Sequence, residues 1–160
     1  MIKKINKKIL FSLLIFITLI LISAFLIEYG LGYKPCKLCI YQRIPYFVAV
    51  LLILKMLLTT SYQKIALFIL ALTFLVSASL AFYHFGIEQG FFSESLACIN
   101  ENLSEAISKE ELLKKLSENT IGCKDVSFRI LGFSLAAINT IFSIVLSVIF
   151  IKLFLNYEKN

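Results

Sequence analysis

The chain has 160 residues, 59% of them hydrophobic, and a mean hydropathy of +0.89. Soluble domains carry roughly 45–50% apolar residues, so this composition excludes an ordinary soluble fold and describes one small integral membrane domain. The net charge of +6 would suit nucleic acid in a soluble protein, but here the lysines flank apolar runs as they do at cytoplasmic membrane borders, and nucleic-acid binding is not expected.

A helix needs about 20 apolar residues to cross about 30 Å of hydrocarbon. Residues 9–27 are uncharged, and residues 65–85 carry only His84 as a titratable group. Residues 130–151 are again uncharged, with Asn139 near the middle. A fourth span over about 40–58 is shorter in its charge-free part, with Arg43 at one interface and Lys55 snorkelling to the other. Pro45 is tolerable there in the first turn, where its missing N–H has no intrahelical partner. The expectation is an all-α membrane protein, a four-transmembrane-helix bundle with external loops over 28–39 and 86–129.

Lys3, Lys4, Lys7 and Lys8 precede the first apolar run as in a secretory signal. That run exceeds the 7–15 residues of a signal core, and Ser23-Ala24-Phe25 is not a small-x-small cleavage site, so an uncleaved anchor is expected. With four spans both termini share a side, and a count of cations on the two sides is a tie. The four lysines ahead of the first helix break it, placing both termini in the cytoplasm and both loops outside. All four cysteines then fall on the outer side, where disulfides persist.

Within the second loop, Ser108-Lys109-Glu110-Glu111 fits a capping box. Leu112, Leu113 and Leu116 follow on one face and Gly122 is a stop, so a short amphipathic helix is expected. The acidic residues around it read as a solvated face rather than a docking patch. Cys98 and Cys123 bracket that helix, and a disulfide between them would stabilise the loop by about 3 kcal/mol if purely structural.

Cys36-Lys37-Leu38-Cys39 is the most informative segment. Three readings compete for the four cysteines. A zinc site has only half its spacing, because 24 residues separate Cys98 from Cys123, and haem attachment would need His where Ile40 stands; no metal is expected. Structural disulfides explain Cys98 and Cys123, but a bond inside Cys-x-x-Cys closes too small a loop to constrain the unfolded chain. The third reading is a redox relay, since that motif lowers thiol pKa and speeds exchange.

The longer stretch Lys34-Pro35-Cys36-Lys37-Leu38-Cys39-Ile40-Tyr41-Gln42-Arg43 resembles the first external loop of the disulfide bond formation protein B (DsbB) family. Tyr83-His84-Phe85-Gly86-Ile87-Glu88-Gln89-Gly90 is similar to a segment after the third helix in one branch of that family, and Cys98 and Cys123 stand where its second pair does. Arg129 with Gly132-Phe133-Ser134-Leu135-Ala136 and Asn139 resembles the start of its fourth helix. The chain departs from the family in lacking Trp, with Phe91, Phe92 and Phe128 at the corresponding places, and in having Gln42 where many members have Glu.

The resemblance implies a quinone-dependent protein-disulfide oxidoreductase of the bacterial inner membrane. It would reoxidise a periplasmic DsbA-like thiol oxidase and pass electrons to ubiquinone or menaquinone. The established potentials of that system, about −120 mV for DsbA against about −270 mV for a thioredoxin-like pair, make the first exchange uphill by about 7 kcal/mol. An acceptor in the bilayer must draw it forward, or the inner pair must have a raised potential.

Carried over residue by residue, Cys98 would form the mixed disulfide with the partner and Cys123 would be its companion. Cys36 would exchange with that pair, and Cys39, favoured by the second helix's N-terminal dipole, would face quinone as thiolate. Arg43 would share a face with Cys39 and bind a reduced quinone oxygen, or anchor a headgroup. His84 would handle quinone protons, or be an interfacial histidine bonded to Tyr or Glu88. Asn139 reads as interhelical glue. Rival readings are a vitamin K epoxide reductase-like enzyme, which would carry its Cys-x-x-Cys late in the bundle, and a membrane scaffold with incidental disulfides.

Overall fold

The computed structural model describes residues 5–59, 61–93, 122–124, 128–130 and 132–158. Helix α1 (Lys7–Phe25) is capped by the Asn6 side chain, which accepts the Lys8 N–H at 3.0 Å, and runs on into a π-helical turn over Leu26–Gly30. Next come α2 (Lys37–Tyr41), α3 (Ile44–Leu58) and α4 (Gln63–Glu88). A two-stranded antiparallel ribbon, β1 (Arg129–Ile130) with β2 (Phe133–Ser134), precedes α5 (Leu135–Glu158). Among the described residues, four helical spans are long and apolar enough to cross a membrane: Lys7–Gly30, Lys37–Leu58, Gln63–Glu88 and Leu135–Tyr157. The protein is a mostly helical multi-pass bundle, as composition and hydropathy predict. The ribbon is too short to register as a period-2 pattern, and its turn contains Gly132 at φ +87°, a conformation glycine adopts without strain. The amphipathic helix expected after Ser108 lies outside the described residues, as does Cys98.

The second span is broken between α2 and α3, and Pro45 explains why. Proline has no N–H for the Tyr41 carbonyl and disfavours helical geometry in the residue before it. The chain therefore tightens at Arg43, whose N–H bonds the Ile40 carbonyl at 3.1 Å, and re-enters helix with Pro45 in the first turn of α3. Gln42 and Arg43 sit in this break, and their side chains leave the helix surface in different directions.

Packing is most extensive between α4 and α5. Ala71, Ser77, Ala78 and Ala81 on one helix and Ala136, Ala137, Ser143 and Ser147 on the other are all buried. Small residues of this kind let two backbones approach closely, which matters in lipid where burial of apolar surface gives no drive to associate. Ser147 reaches the Ala71 carbonyl across the interface at 3.4 Å. In the half of the bundle away from the cysteines, Leu10, Ile17, Tyr46, Ile53, Phe74, Leu146 and Phe150 form the core. Phe74 stacks on Phe150 with ring centroids 5.5 Å apart and meets the Tyr46 ring edge-on at 5.4 Å. Phe11, Leu51, Val76 and Ile141 are more than half exposed and make up the lipid face.

Phe74 joins three helices, so Phe74→Ala leaves a cavity that none of them can close alone. Substitutions of this type cost about 3–5 kcal/mol; reversible unfolding in mixed micelles should show a loss near the lower end of that range, with the helical circular dichroism of the folded state unchanged.

Candidate functional site

The site is assembled where α2, the helix break, the end of α4 and the start of α5 converge. Cys36 is the N-cap of α2, its sulfur accepting the Cys39 backbone N–H at 3.3 Å. Cys39 follows one turn along, with its Sγ 2.9 Å from that of Cys36; both are free thiols. A disulfide needs about 2.05 Å between sulfurs, so small side-chain rotations suffice to close the pair.

The two cysteines have different surroundings. Cys36 is buried in a cluster with Leu38, Ile87 and Cys123. Cys123 is itself buried and disulfide-bonded. Cys39 packs against the edge of this cluster and, unlike Cys36, also lines a cavity of about 230 Å³ bordered by α1, the first loop, the helix break and α5. Its walls are mainly apolar, from Ile20, Ala24, Phe128 and Phe142, while Glu28, Lys34 and Arg43 bring charge to it. Arg43 is hydrogen-bonded to Glu28 as an ion pair and lies over the Phe25 ring, 4.9 Å from its centroid.

His84 is buried near the end of α4. Its Nε2 is 3.5 Å from Cys36 Sγ and 3.7 Å from a carboxylate oxygen of Glu88, and its ring also meets the Cys123 backbone. Its Nδ1 is 3.2 Å from the Gln42 amide nitrogen. The Cys36 thiol is held well below the ordinary thiol range, chiefly by the hydrogen bond from the Cys39 thiol; burial opposes this, and His84 adds to it.

Behind His84 a polar chain continues into the bundle. Asn139 donates to the Gln42 carbonyl oxygen at 2.8 Å and accepts from the Tyr46 hydroxyl. Tyr46 lies 3.3 Å from the Ser143 hydroxyl, which in turn lies 3.0 Å from that of Ser77.

Among the sequence-predicted site residues, Cys36, Cys39, Arg43 and His84 are brought together, and Cys123 joins them through Cys36. The helix-cap position belongs to Cys36, whereas the sequence reading assigned the favourable dipole to Cys39. Asn139 is interhelical, as expected, but its partners lead to His84. Glu28, Gln42, Tyr46, Ser77 and Ser143 were not expected in the site. For Gln42, Tyr46, Ser77 and Ser143 the signal is spacing: residues 77 and 84, and 139 and 143, are seven and four positions apart on one helix face, and 42 and 46 are four apart across the helix break.

Comparison with known proteins gives a family. The model of the family described as "Disulfide bond formation protein DsbB" matches residues 6–153. An uncharacterized protein of Rickettsia prowazekii (strain Madrid E) is 32% identical over 162 aligned positions, covering 99% of this chain and 94% of that protein. No solved structure matches the chain.

The lowered Cys36 pKa sets a pH dependence. A thiolate alkylates and a thiol does not, so an ordinary cysteine loses about tenfold in rate for each pH unit below about 8.5. In the protein with its inner pair reduced, the Cys36 rate with iodoacetamide should stay nearly flat from about pH 8 to about pH 6. Removing the Cys39 donor by Cys39→Ala should restore the steep decline, and mass spectrometry of the alkylated peptide reads both profiles.

Proposed function

The chain belongs to the DsbB family and is a multi-pass membrane protein of disulfide-bond formation, and we propose that it reoxidises a periplasmic DsbA-type thiol oxidase and passes the electrons to membrane quinone. The observation that carries this reading is the division of the inner pair, with Cys36 packed against disulfide-bonded Cys123 and Cys39 opening on an apolar cavity that also holds Arg43. A scaffold with incidental disulfides has no use for that division. A vitamin K epoxide reductase-like reading is disfavoured by the position of the Cys-x-x-Cys at the start of the second span.

The relay balances as two electrons and two protons per turnover. The partner's dithiol is oxidised to a disulfide as Cys98–Cys123 is reduced, the mixed disulfide forming at Cys98. The resulting dithiol then attacks the Cys36–Cys39 disulfide at Cys36 and expels Cys39. When the second outer sulfur resolves that intermediate, Cys36 is the leaving group. A thiol of low pKa leaves faster, so the hydrogen bonds that stabilise the Cys36 thiolate favour collapse toward a re-formed outer disulfide and a reduced inner pair. Free Cys36 and Cys39 beside a bonded Cys123 correspond to that stage.

A quinone at Cys39 would supply the two-electron, two-proton acceptor that makes the uphill first exchange run forward. The cavity fits its head group: about 230 Å³ is below the roughly 300–1,000 Å³ of drug-sized ligand sites and suits one flat ring. Arg43 would donate to an oxygen of that ring, and Phe142 and Ile20 would contact its faces. The reading puts both termini in the cytoplasm, with the cysteine loops on the periplasmic side of the inner membrane.

The test uses purified protein in detergent with a reduced DsbA-type oxidase and a soluble quinone, followed by quinone absorbance. Thiol-dependent quinone reduction should be abolished by Cys98→Ser and by Cys39→Ser. Arg43→Ala should lower activity by at least tenfold, mainly through KM for quinone. Reduction by Cys98→Ser at the wild-type rate would sink the relay.

A further inference from the structure

We propose that Gln42 and Asn139 are positioning residues that lock the His84 ring in the tautomer carrying its proton on Nε2, directed at the Cys36 sulfur. The proposal rests on the thiol chemistry assigned to Cys36 and is independent of the quinone.

The argument follows hydrogen-bond polarity from residue to residue. A primary amide has a donor end and an acceptor end, which exchange places only if the group turns over. The Tyr46 hydroxyl donates to Asn139 Oδ1, so Asn139 presents Nδ2 to Gln42, 2.8 Å from Oε1. With Oε1 occupied, Gln42 has only its Nε2–H group to offer His84, and it lies 3.2 Å from Nδ1. An imidazole nitrogen that accepts is bare, so the Gln42 donor opposes a proton on Nδ1 and leaves the ring N–H on Nε2, against the pull toward the imidazolium from the Cys36 sulfur and the Glu88 carboxylate. That nitrogen faces Cys36 Sγ at 3.5 Å and Glu88 at 3.7 Å. The Ser143 hydroxyl, 3.3 Å from that of Tyr46 and 3.0 Å from that of Ser77, also donates to Asn139 Oδ1 at 3.5 Å, which again marks that oxygen as the acceptor end of the amide.

An amide does not pass a proton along as a hydroxyl or imidazole can, so this chain orients His84 rather than feeding protons to it. The same orientation has a second consequence. The ligating atoms of Cys36, Cys39 and His84 lie within 4.8 Å of one another, the makings of a Cys2His corner for a thiophilic divalent metal. Such a metal needs a bare ring nitrogen and an acceptor for the other N–H. Gln42 provides a donor at Nδ1 instead, which leaves the Nε2 proton where the metal would bind and disfavours metal capture by the reduced pair.

His84 is the chain's single histidine, so labelling with ring-¹⁵N histidine gives one pair of nitrogen signals. In wild-type protein with Cys36 and Cys39 reduced, near neutral pH, Nε2 should be protonated and Nδ1 bare. A protonated Nδ1, in the neutral ring or the imidazolium, would overturn the proposal without recourse to any variant. In Asn139→Asp the carboxylate can no longer donate to Gln42, so the amide turns over and the proton should move to Nδ1; retention on Nε2 would overturn the role of Asn139. Gln42→Glu puts an acceptor at Nδ1, and reduced protein titrated with Co²⁺ should show thiolate-to-cobalt charge-transfer bands at about 10–100-fold lower metal concentration than wild type. Equal cobalt affinity would overturn the role of Gln42. Because none of these readouts involves electron transfer, failure of quinone reduction and failure of the tautomer lock are separately visible.

Discussion

In the hydrocarbon of a bilayer there is no water to take up an unpaired polar group, and each one left alone costs several kcal/mol. This constraint governs the organisation of the bundle. Gln42, Tyr46, Ser77, His84, Asn139 and Ser143 come from three spans, and among the described residues each has its hydrogen bonds to the others or to the cysteines. Because every member depends on the next, rotation of any one helix would break more than one bond. The network therefore fixes helix rotation in an interface whose small apolar residues would tolerate several, and it delivers that fixed geometry to Cys36.

The break at Gln42 and Arg43 is the second requirement. An unbroken helix would send residues 42 and 43 in directions 100° apart on one cylinder, with both side chains constrained by its surface. Pro45 interrupts the ladder, and the two side chains separate: Gln42 is buried against His84, while Arg43 reaches the cavity and pairs with Glu28. One local feature thus serves both faces of the dithiol. The Arg43 charge is compensated by Glu28 and by the Phe25 ring, which is how a cation is tolerated at the edge of a membrane span.

Much of this was legible in the sequence because hydrophobic length and cysteine spacing are local. The spans, the dithiol after the first of them, and Arg43 one turn beyond Cys39 could all be read from neighbouring residues. Asn139 could be recognised as a polar residue needing an interhelical partner, but its partner could not, because Gln42 is 97 positions away. Glu28 was passed over for the same reason: adjacent to an apolar run it reads as an interfacial acid, and only the π-helical turn and the helix break bring it to Arg43. The helix cap also turned on detail. Composition says that a helix begins near the dithiol, but one residue of difference decides which sulfur receives the first backbone N–H, and the side chain of Cys36 does.

The separation of the two sulfurs raises a problem that the surrounding residues resolve. A reduced dithiol shares two protons between two adjacent sulfurs, and in a symmetric setting either sulfur could hold the negative charge. Here the setting is unequal. Cys36 receives the Cys39 backbone N–H, the Cys39 thiol and the His84 ring, whereas Cys39 faces a mostly apolar cavity in which Arg43 is already paired with Glu28. Charge is accordingly held on the sulfur nearest Cys123, the one released last in the proposed exchange. For Cys39 to become the nucleophile toward an acceptor in the cavity, negative charge must move across 2.9 Å from one sulfur to the other. Arg43, one turn beyond Cys39, is held by Glu28 and does little to draw that charge across, so the reduced pair keeps it on Cys36.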